Sequence, residues 1–381
     1  MIPYGHQDIS EEDIQEVVNV LRSDWLTQGP MVERFERAVA AYCGARYAVA
    51  VSSGTAALHI AALAAGFGIG DEVITSPITF AASANCIAYT GARPVFADID
   101  NTTCCIDVEE LRKKISKKTK GVIPVHFAGN PCDIAEIAEA AREHDLIVIE
   151  DAAHALGASY EEHGVWYKVG SCAHSDMTIF SFHPVKHITT GEGGMITTNN
   201  PELYRNILML RNHGITREQQ QMHGNDGSWY YEQQQLGFNY RITDVQCALG
   251  LSQLKRMNEF TCRRRSIAAI YNQAFSKTVI RLPKQGTNSS WHLYVIRCDR
   301  AKRKYIFDAL REKGIGVNVH YIPVHTHPYY QRTFGCQRGD FPIAEAYYQE
   351  AISLPIYPAL SDAQLNKIIS SVIETIGGEQ R

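Results

Sequence analysis

The chain has 381 residues, 45% apolar and 20% charged, with a formal net charge of −4; this length predicts one large domain plus a smaller one. The acidic balance and the lack of Lys/Arg blocks argue against a general nucleic-acid binder. No run of about 18 apolar residues predicts a membrane span, and Met1-Ile-Pro-Tyr-Gly-His6 has no leader pattern.

Ten cysteines are scattered without a Cys-x-x-Cys pair, which predicts reduced thiols in a cytoplasmic protein. His325-Thr-His327 lacks a carboxylate or cysteine partner at ligand spacing, so no metal is expected. Arg263-Arg264-Arg265 falls in a helical pattern and reads as a solvated or interface face.

Residues 1–30 read as an arm, helical around Ile14, Val17, Val18 and Leu21 and closed by the turn Trp25–Pro30. A helix follows, with Val32, Phe35, Ala38, Val39 and Tyr42 on one face and Gly44 as its stop. From Tyr47 onward, apolar β-rich runs at 48–52, 72–76, 94–99, 121–127, 146–150 and 177–182 alternate with helical stretches near 55–65, 80–90, 107–117 and 132–144. Continuous apolar strands joined by helices predict an α/β fold whose parallel or mixed sheet is covered on both faces. Near residue 240 the pattern changes to helices at 244–257 and 262–275, a strand at 291–298, a helix at 301–313 and a strand-like 317–322. The division expected is a large domain over 1–250, its arm 1–30 packing on a small α+β domain over 251–381.

In such sheets ligands bind beyond the carboxyl ends of the strands. Three segments end there: Ser52-Ser53-Gly54-Thr55, Asp151 and Lys186. Lys186 precedes Thr-Thr-Gly-Glu-Gly-Gly, where the backbone bends or approaches something closely. It is either a surface lysine or a desolvated amine able to form an imine with a carbonyl cofactor. Asp151 is either a helix cap or the partner of a protonated pyridine nitrogen. Ser53, Gly54 and Thr55 open an alanine-rich helix, as an ordinary N-cap or as a phosphate cup to which Ser181 adds a hydroxyl. His154 and Phe80 could flank a ring or belong to the core. Gly66-Phe-Gly-Ile-Gly70 follows a helix and lacks dinucleotide spacing, and Asp98-Ile-Asp100 reads as turn and cap chemistry. Together, a phosphate cup, an aspartate and a lysine at strand ends point to pyridoxal 5′-phosphate.

The sequence resembles the DegT/DnrJ/EryC1/StrS sugar aminotransferases, within the fold-type I pyridoxal-phosphate enzymes. The resemblance is carried by Trp25–Pro30, Ser52–Leu58, Gly70–Ile74, Thr79-Phe80, Glu150–Gly157, Ser181–Lys186, Gly191–Gly194, Arg211–Gly214 and Gly237–Arg241. It implies a mixed, mostly parallel large-domain sheet, Lys186 as the cofactor-bearing lysine and Asp151 as the pyridine partner. His154 is implied beside the ring, Phe80 stacked on it, and Ser53, Gly54, Thr55 and Ser181 around the phosphate. Asn239 is implied to reach the phosphate of a neighbouring subunit, making a homodimer with shared sites, and Arg241 to contact substrate across that interface. His213, Tyr321 and His325 are further substrate candidates, with packing between domains the other reading of Tyr321 and His325. One branch of the family has histidine in place of this lysine and dehydrates sugars at C3; Lys186 favours transamination, although His187 is adjacent.

The lysine segment and the run from His320 to Tyr330 and on to Ser361 are similar to the transaminase branch of pseudaminic acid biosynthesis. That implies L-glutamate as donor and UDP-2-acetamido-2,6-dideoxy-β-L-arabino-hexos-4-ulose, a UDP-linked 4-keto sugar, as acceptor. A perosamine-type or aminoarabinose-type keto sugar, a 3-dehydratase and a non-catalytic regulatory protein are the alternatives.

Overall fold

Runs of Val, Ile, Ala and Phe without polar alternation have no face to offer water, and the chain buries them inside a seven-stranded sheet. The computed structural model describes residues 1–218, 222–286 and 288–377. It begins with helices α1 (Glu11–Leu21) and α2 (Pro30–Cys43), then β1 (Tyr47–Val51), α3 (Gly54–Ala64), β2 (Glu72–Thr75), α4 (Ala82–Tyr89) and β3 (Arg93–Phe96). There follow α5 (Val108–Lys114), β4 (Thr119–Ile123), α6 (Ile134–Arg142) and β5 (Ile147–Asp151). A hairpin of β6 (Ser159–Glu162) and β7 (Val165–Lys168) precedes β8 (Met177–Ser181), β9 (Gly194–Thr198) and α7 (Pro201–Arg211).

The sheet order is β1-β9-β8-β5-β4-β2-β3. Strand β9 is antiparallel to both β1 and β8, and the remaining pairs are parallel. The fold is therefore α/β with a mixed, mostly parallel sheet, the fold-type I architecture. Strand β9 and the β6–β7 hairpin are absent from the sequence reading. Gly193 and Gly194, at the start of β9, read as loop, because glycine is a poor strand former.

The chain continues with a short pair, β10 (Ile215–Thr216) and β11 (Glu232–Gln233), then α8 (Asp244–Lys255), α9 (Met257–Phe275), β12 (Tyr294–Arg297) and α10 (Arg303–Glu312). It ends with α11 (Pro328–Phe334), α12 (Pro342–Glu350), β13 (Ala351–Leu354) and α13 (Asp362–Gly377). Strands β12 and β13 pair antiparallel, and a core of Ile267, Tyr271, Tyr294, Leu310 and Ile368 forms around them. Ile2 belongs to that core and bridges Ile315. The first residues thus lie on the C-terminal part, while α1 lies on α8 through the buried Asp13, which accepts from Gln253 and Arg256.

Three expectations are corrected. The strand expected over 317–322 makes a single bridge, Asn318 to Ser353. There the Asn318 side chain takes the amide of Val319 and Pro323 has no amide to give, so β13 holds the ladder instead. Asp98 caps no neighbouring helix; its carboxylate accepts from Ile343 and Ala344 at the start of α12, 2.9 Å each. Arg264 is not on a solvated face. It shares the buried side of α9 with Phe260, Ile267 and Ala268, which the helical repeat of 3–4 residues brings together.

Candidate active site

Strands β1, β5 and β8 run in one direction and deliver their last residues to one edge of the sheet. At the end of β1, Ser53 is the N-cap of α3, and its Oγ accepts from the Ala56 amide at 3.0 Å. The amides of Gly54 and Thr55 open the helix, where backbone donors and the helix dipole favour an anion. A Cβ on Gly54 would sit 2.9 Å from Cβ of Ser181, so glycine lets the end of β8 approach the helix start and sets the Ser181 hydroxyl beside it. Gly194 answers the same demand, since a Cβ there would stand 2.4 Å from the Ser53 carbonyl. Thr55 is exposed at this cup.

Asp151 ends β5 and is buried. Its Oδ2 accepts from Ser83 Oγ at 2.5 Å, Oδ1 from the Ala153 amide at 3.1 Å, and its carbonyl from the His126 amide at 3.0 Å. The preceding Glu150 points away, since alternate strand side chains take opposite faces. It lies 2.6 Å from His126 Nε2 and accepts from Thr178 and Ser175. His126 Nδ1 accepts the Cys132 amide, which places the imidazole proton on Nε2 and directs it to Glu150. Burial pushes the Glu150 carboxyl up, but these donors outweigh burial and hold it below the ordinary value.

Lys186 lies on the loop between β8 and β9. That loop closes through Phe182 N–H to Gly193 O, 2.9 Å, and Thr190 N–H to Phe182 O, 3.0 Å. Burial lowers the Lys186 amine to about 8; Asp151 opposes the shift and Arg264 adds to it. His187 turns away, its Nε2 3.1 Å from the Ser290 carbonyl. Of the two adjacent candidates, the lysine is the one the Asp151 carboxylate acts on.

His154 Nδ1 accepts the Ala128 amide at 3.4 Å, so its proton sits on Nε2 and is donated to the Tyr321 phenol 3.0 Å away. The two rings are near parallel at 22°, and His292 packs 4.3 Å from His154. Burial holds the His154 imidazole well below its ordinary value, and Lys186, His320 and His187 deepen the shift. Phe80 is 63% exposed, with its ring 6.2 Å from Tyr321, so one aromatic face stands open at the cleft.

The remaining candidates lie apart. Asn239 is exposed and bridges Asn212; the next residue, Tyr240, accepts the Ser52 amide through its carbonyl, which sets this segment beside the end of β1. Arg241 donates to Asn212 Oδ1 at 2.7 Å and lines a cleft of about 290 Å³ with Glu33, Glu36 and Arg211. His213 is exposed, with its backbone at φ +60°. His325 is fully buried between Phe96 and Phe341, with Nε2 3.0 Å from Glu345. That is the packing reading, and it removes His325 from the cleft. Sequence reasoning passed over Ser83, His292 and Ser290. No local motif marks them, because each reaches the site only through tertiary contacts.

Among the described residues no group of three or more potential metal ligands occurs. The donor set fits pyridoxal 5′-phosphate. It provides a helix start with hydroxyls for a dianion, an anchored carboxylate for a ring nitrogen, an amine poised near neutral pH and an open aromatic face.

Residues 7–373 match the model of the DegT/DnrJ/EryC1/StrS aminotransferase family. The spore coat polysaccharide biosynthesis protein SpsC of Bacillus subtilis is 44% identical over 99% of this chain and 97% of its own. Helicobacter pylori PseC, an aminotransferase of pseudaminic acid biosynthesis, is 32% identical with a TM-score of 0.90, covering 99% of both chains. Spr1654 of Streptococcus pneumoniae, solved in its PMP form, is 33% identical with a TM-score of 0.92 over 99% of this chain and 100% of its own. The chain therefore belongs to the DegT/DnrJ/EryC1/StrS aminotransferase family and is a pyridoxal-phosphate-dependent enzyme.

Proposed function

We propose that the enzyme transfers the amino group of L-glutamate to C4 of a UDP-linked 4-keto-6-deoxy-N-acetylhexosamine, the 2-acetamido-2,6-dideoxy-β-L-arabino-hexos-4-ulose of pseudaminic acid biosynthesis. The observation that carries transamination is the convergence of Lys186, Asp151 and the start of α3 at one sheet edge. The sugar rests on the likeness to PseC and on the segments around Lys186 and from His320 onward.

When bound, pyridoxal phosphate supplies a carbonyl that takes up the amino group and a ring that spreads an electron pair. In this reading Ser53, Gly54, Thr55 and Ser181 hold the phosphate, and Phe80 and His154 flank the ring. Asp151, kept in place by Ser83 and Ala153, offers its carboxylate to the ring nitrogen. Lys186, whose amine burial lowers to about 8 so that a share of it is free base near neutral pH, would remove a proton from Cα of the donor in one half-cycle and deliver one to C4 of the sugar in the other. The two halves share one site, so kinetics are ping-pong. His154 already donates to the Tyr321 oxygen, so the phenol's own proton is left to meet a substrate oxygen. His213 would approach the sugar from the rim. Asn239 and Arg241, at the surface beside the end of β1, would serve the site of a second subunit in a homodimer.

A second reading keeps every one of these residues and changes the sugar. SpsC, named for a spore coat polysaccharide, is more similar in sequence than PseC, which favours a different nucleotide-linked keto sugar. Purified protein with glutamate and a panel of nucleotide-linked 4-keto sugars separates the two. Lys186→Ala is expected to abolish turnover with every member and the visible absorbance of the lysine-bound cofactor. Normal multiple turnover by that variant would sink the transaminase reading.

A further inference from the structure

The first eight residues run from the C-terminal part of the chain to the junction of α8 and α9, and they pass the lysine loop on the way. The Ile2 amide donates to the Gly314 carbonyl at 2.8 Å, and its carbonyl accepts the Gly316 amide at 2.7 Å. The Tyr4 carbonyl accepts the Ile356 amide at 3.1 Å. At the other end Asp8 is fixed where α8 meets α9. Its Oδ1 accepts from Arg256 Nη1 at 3.0 Å, and its carbonyl accepts from Arg256 Nη2 at 3.0 Å and Gln253 Nε2 at 2.8 Å. With both ends anchored, the span from Gly5 to Gln7 is held down over what lies beneath it.

What lies beneath is the segment that carries Lys186. A Cβ on Gly5 would stand 3.3 Å from Cβ of Val185 and 3.5 Å from its Cγ1, so Val185 would have to give way by a few tenths of an ångström. The Gly5 backbone is outside the left-handed region, where glycine is otherwise required. What glycine provides here is therefore the close approach to Val185. Next along, His6, Gln7 and Asp8 line a crevice with Lys186 and His187 that has no room for a water molecule. Its titratable walls are thus His6, Asp8, Lys186 and His187. Asp8 is engaged by Arg256, and His187 by the Ser290 carbonyl at 3.1 Å.

We propose that Gly5–Asp8 is a strap that positions Lys186 and keeps water from its rear, with Gly5 as the positioning residue. By its lack of a side chain Gly5 sets where Val185, and the lysine next to it, come to rest. This rests on Lys186 being the reactive amine proposed above.

The test is capture of pyridoxal phosphate by the full-length, cofactor-free chain, read as the rate at which the visible absorbance of the lysine-bound cofactor appears. An ångström of misplacement can cost about a hundredfold, so Gly5→Val, which displaces Val185 by a fraction of that, is expected to slow capture about tenfold. Val185→Ala makes room for the added side chain, and the double variant Gly5→Val/Val185→Ala is expected within about twofold of wild type. A purely structural role predicts the reverse. Removing packed methyl groups at Val185 would then lower the melting temperature further and leave capture slow. Wild-type capture by Gly5→Val, or slow capture that Val185→Ala does not restore, overturns the proposal. Gly5→Ala, with the same partner variant and the same two criteria, decides the matter if Gly5→Val does not fold. Failure of the transaminase reading shows separately, as turnover or the same visible band in Lys186→Ala, because capture needs neither donor nor sugar.

Discussion

Ser83 reaches Asp151 from the first turn of α4, and its hydroxyl is itself held by Thr79 at 2.6 Å. A hydrogen bond to a charged group is worth about 1.5–3 kcal/mol. Ser83→Ala leaves the carboxylate with the Ala153 amide alone on its side chain, free to turn away from the cofactor's nitrogen. The variant is expected to fold, and its cofactor Kd, followed by absorbance titration, to rise ~tenfold or more. An unchanged Kd would show that Asp151 is oriented without Ser83. At this scale Lys186, Asp151 and the Ser53–Thr55 cup were legible, because each stands at the end of an apolar run. Ser83 was not, since a serine inside an alanine-rich helix carries no mark of the strand it faces.

Among the elements, α12 shows how a distant cap supports the cleft. Asp98, just past β3, binds the first amides of α12, and Tyr347 on that helix donates to the His320 carbonyl at 2.7 Å, next to Tyr321. Losing such a cap costs about 1–2 kcal/mol. Asp98→Ala should therefore lower the melting temperature by a few degrees in calorimetry. A melting temperature equal to wild type would mean that α12 holds its place without the cap. The loop between β8 and β9 makes the opposite case. Its hydrogen bonds are local, and its glycines and threonines already read as a sharp bend around the lysine.

For the molecule as a whole, four neutral imidazoles, His154, His187, His292 and His320, are packed around one amine. Their folded-state values lie below the ordinary value, His320 down to about 3. As pH falls through ~6.5 the unfolded chain takes up protons that the folded chain refuses, so stability falls with pH, by up to about 1.4 kcal/mol per unit for each imidazole. Urea midpoints should drop steadily from pH 7.5 to ~5. Glu150 is held below its ordinary value, so its own loss comes at lower pH, outside this window. A flat profile would mean that these histidines titrate freely in the folded protein.

The alternation of apolar strands with helices, the sheet covered on both faces, and the three strand-end groups were determined by the sequence alone. Periodicity, strand ends and helix starts are local properties of the chain, and the motifs shared with the family lie in those same stretches. Tertiary structure alone decided the rest. It inserted β9 antiparallel between β1 and β8, sent Asp98 to cap a helix far along the chain, and buried His325 against Glu345. It also turned the middle of an arginine triple inward. The reason is common to all four: a charge, a cap or an inserted antiparallel strand is defined by what packs against it, and those partners are distant in sequence.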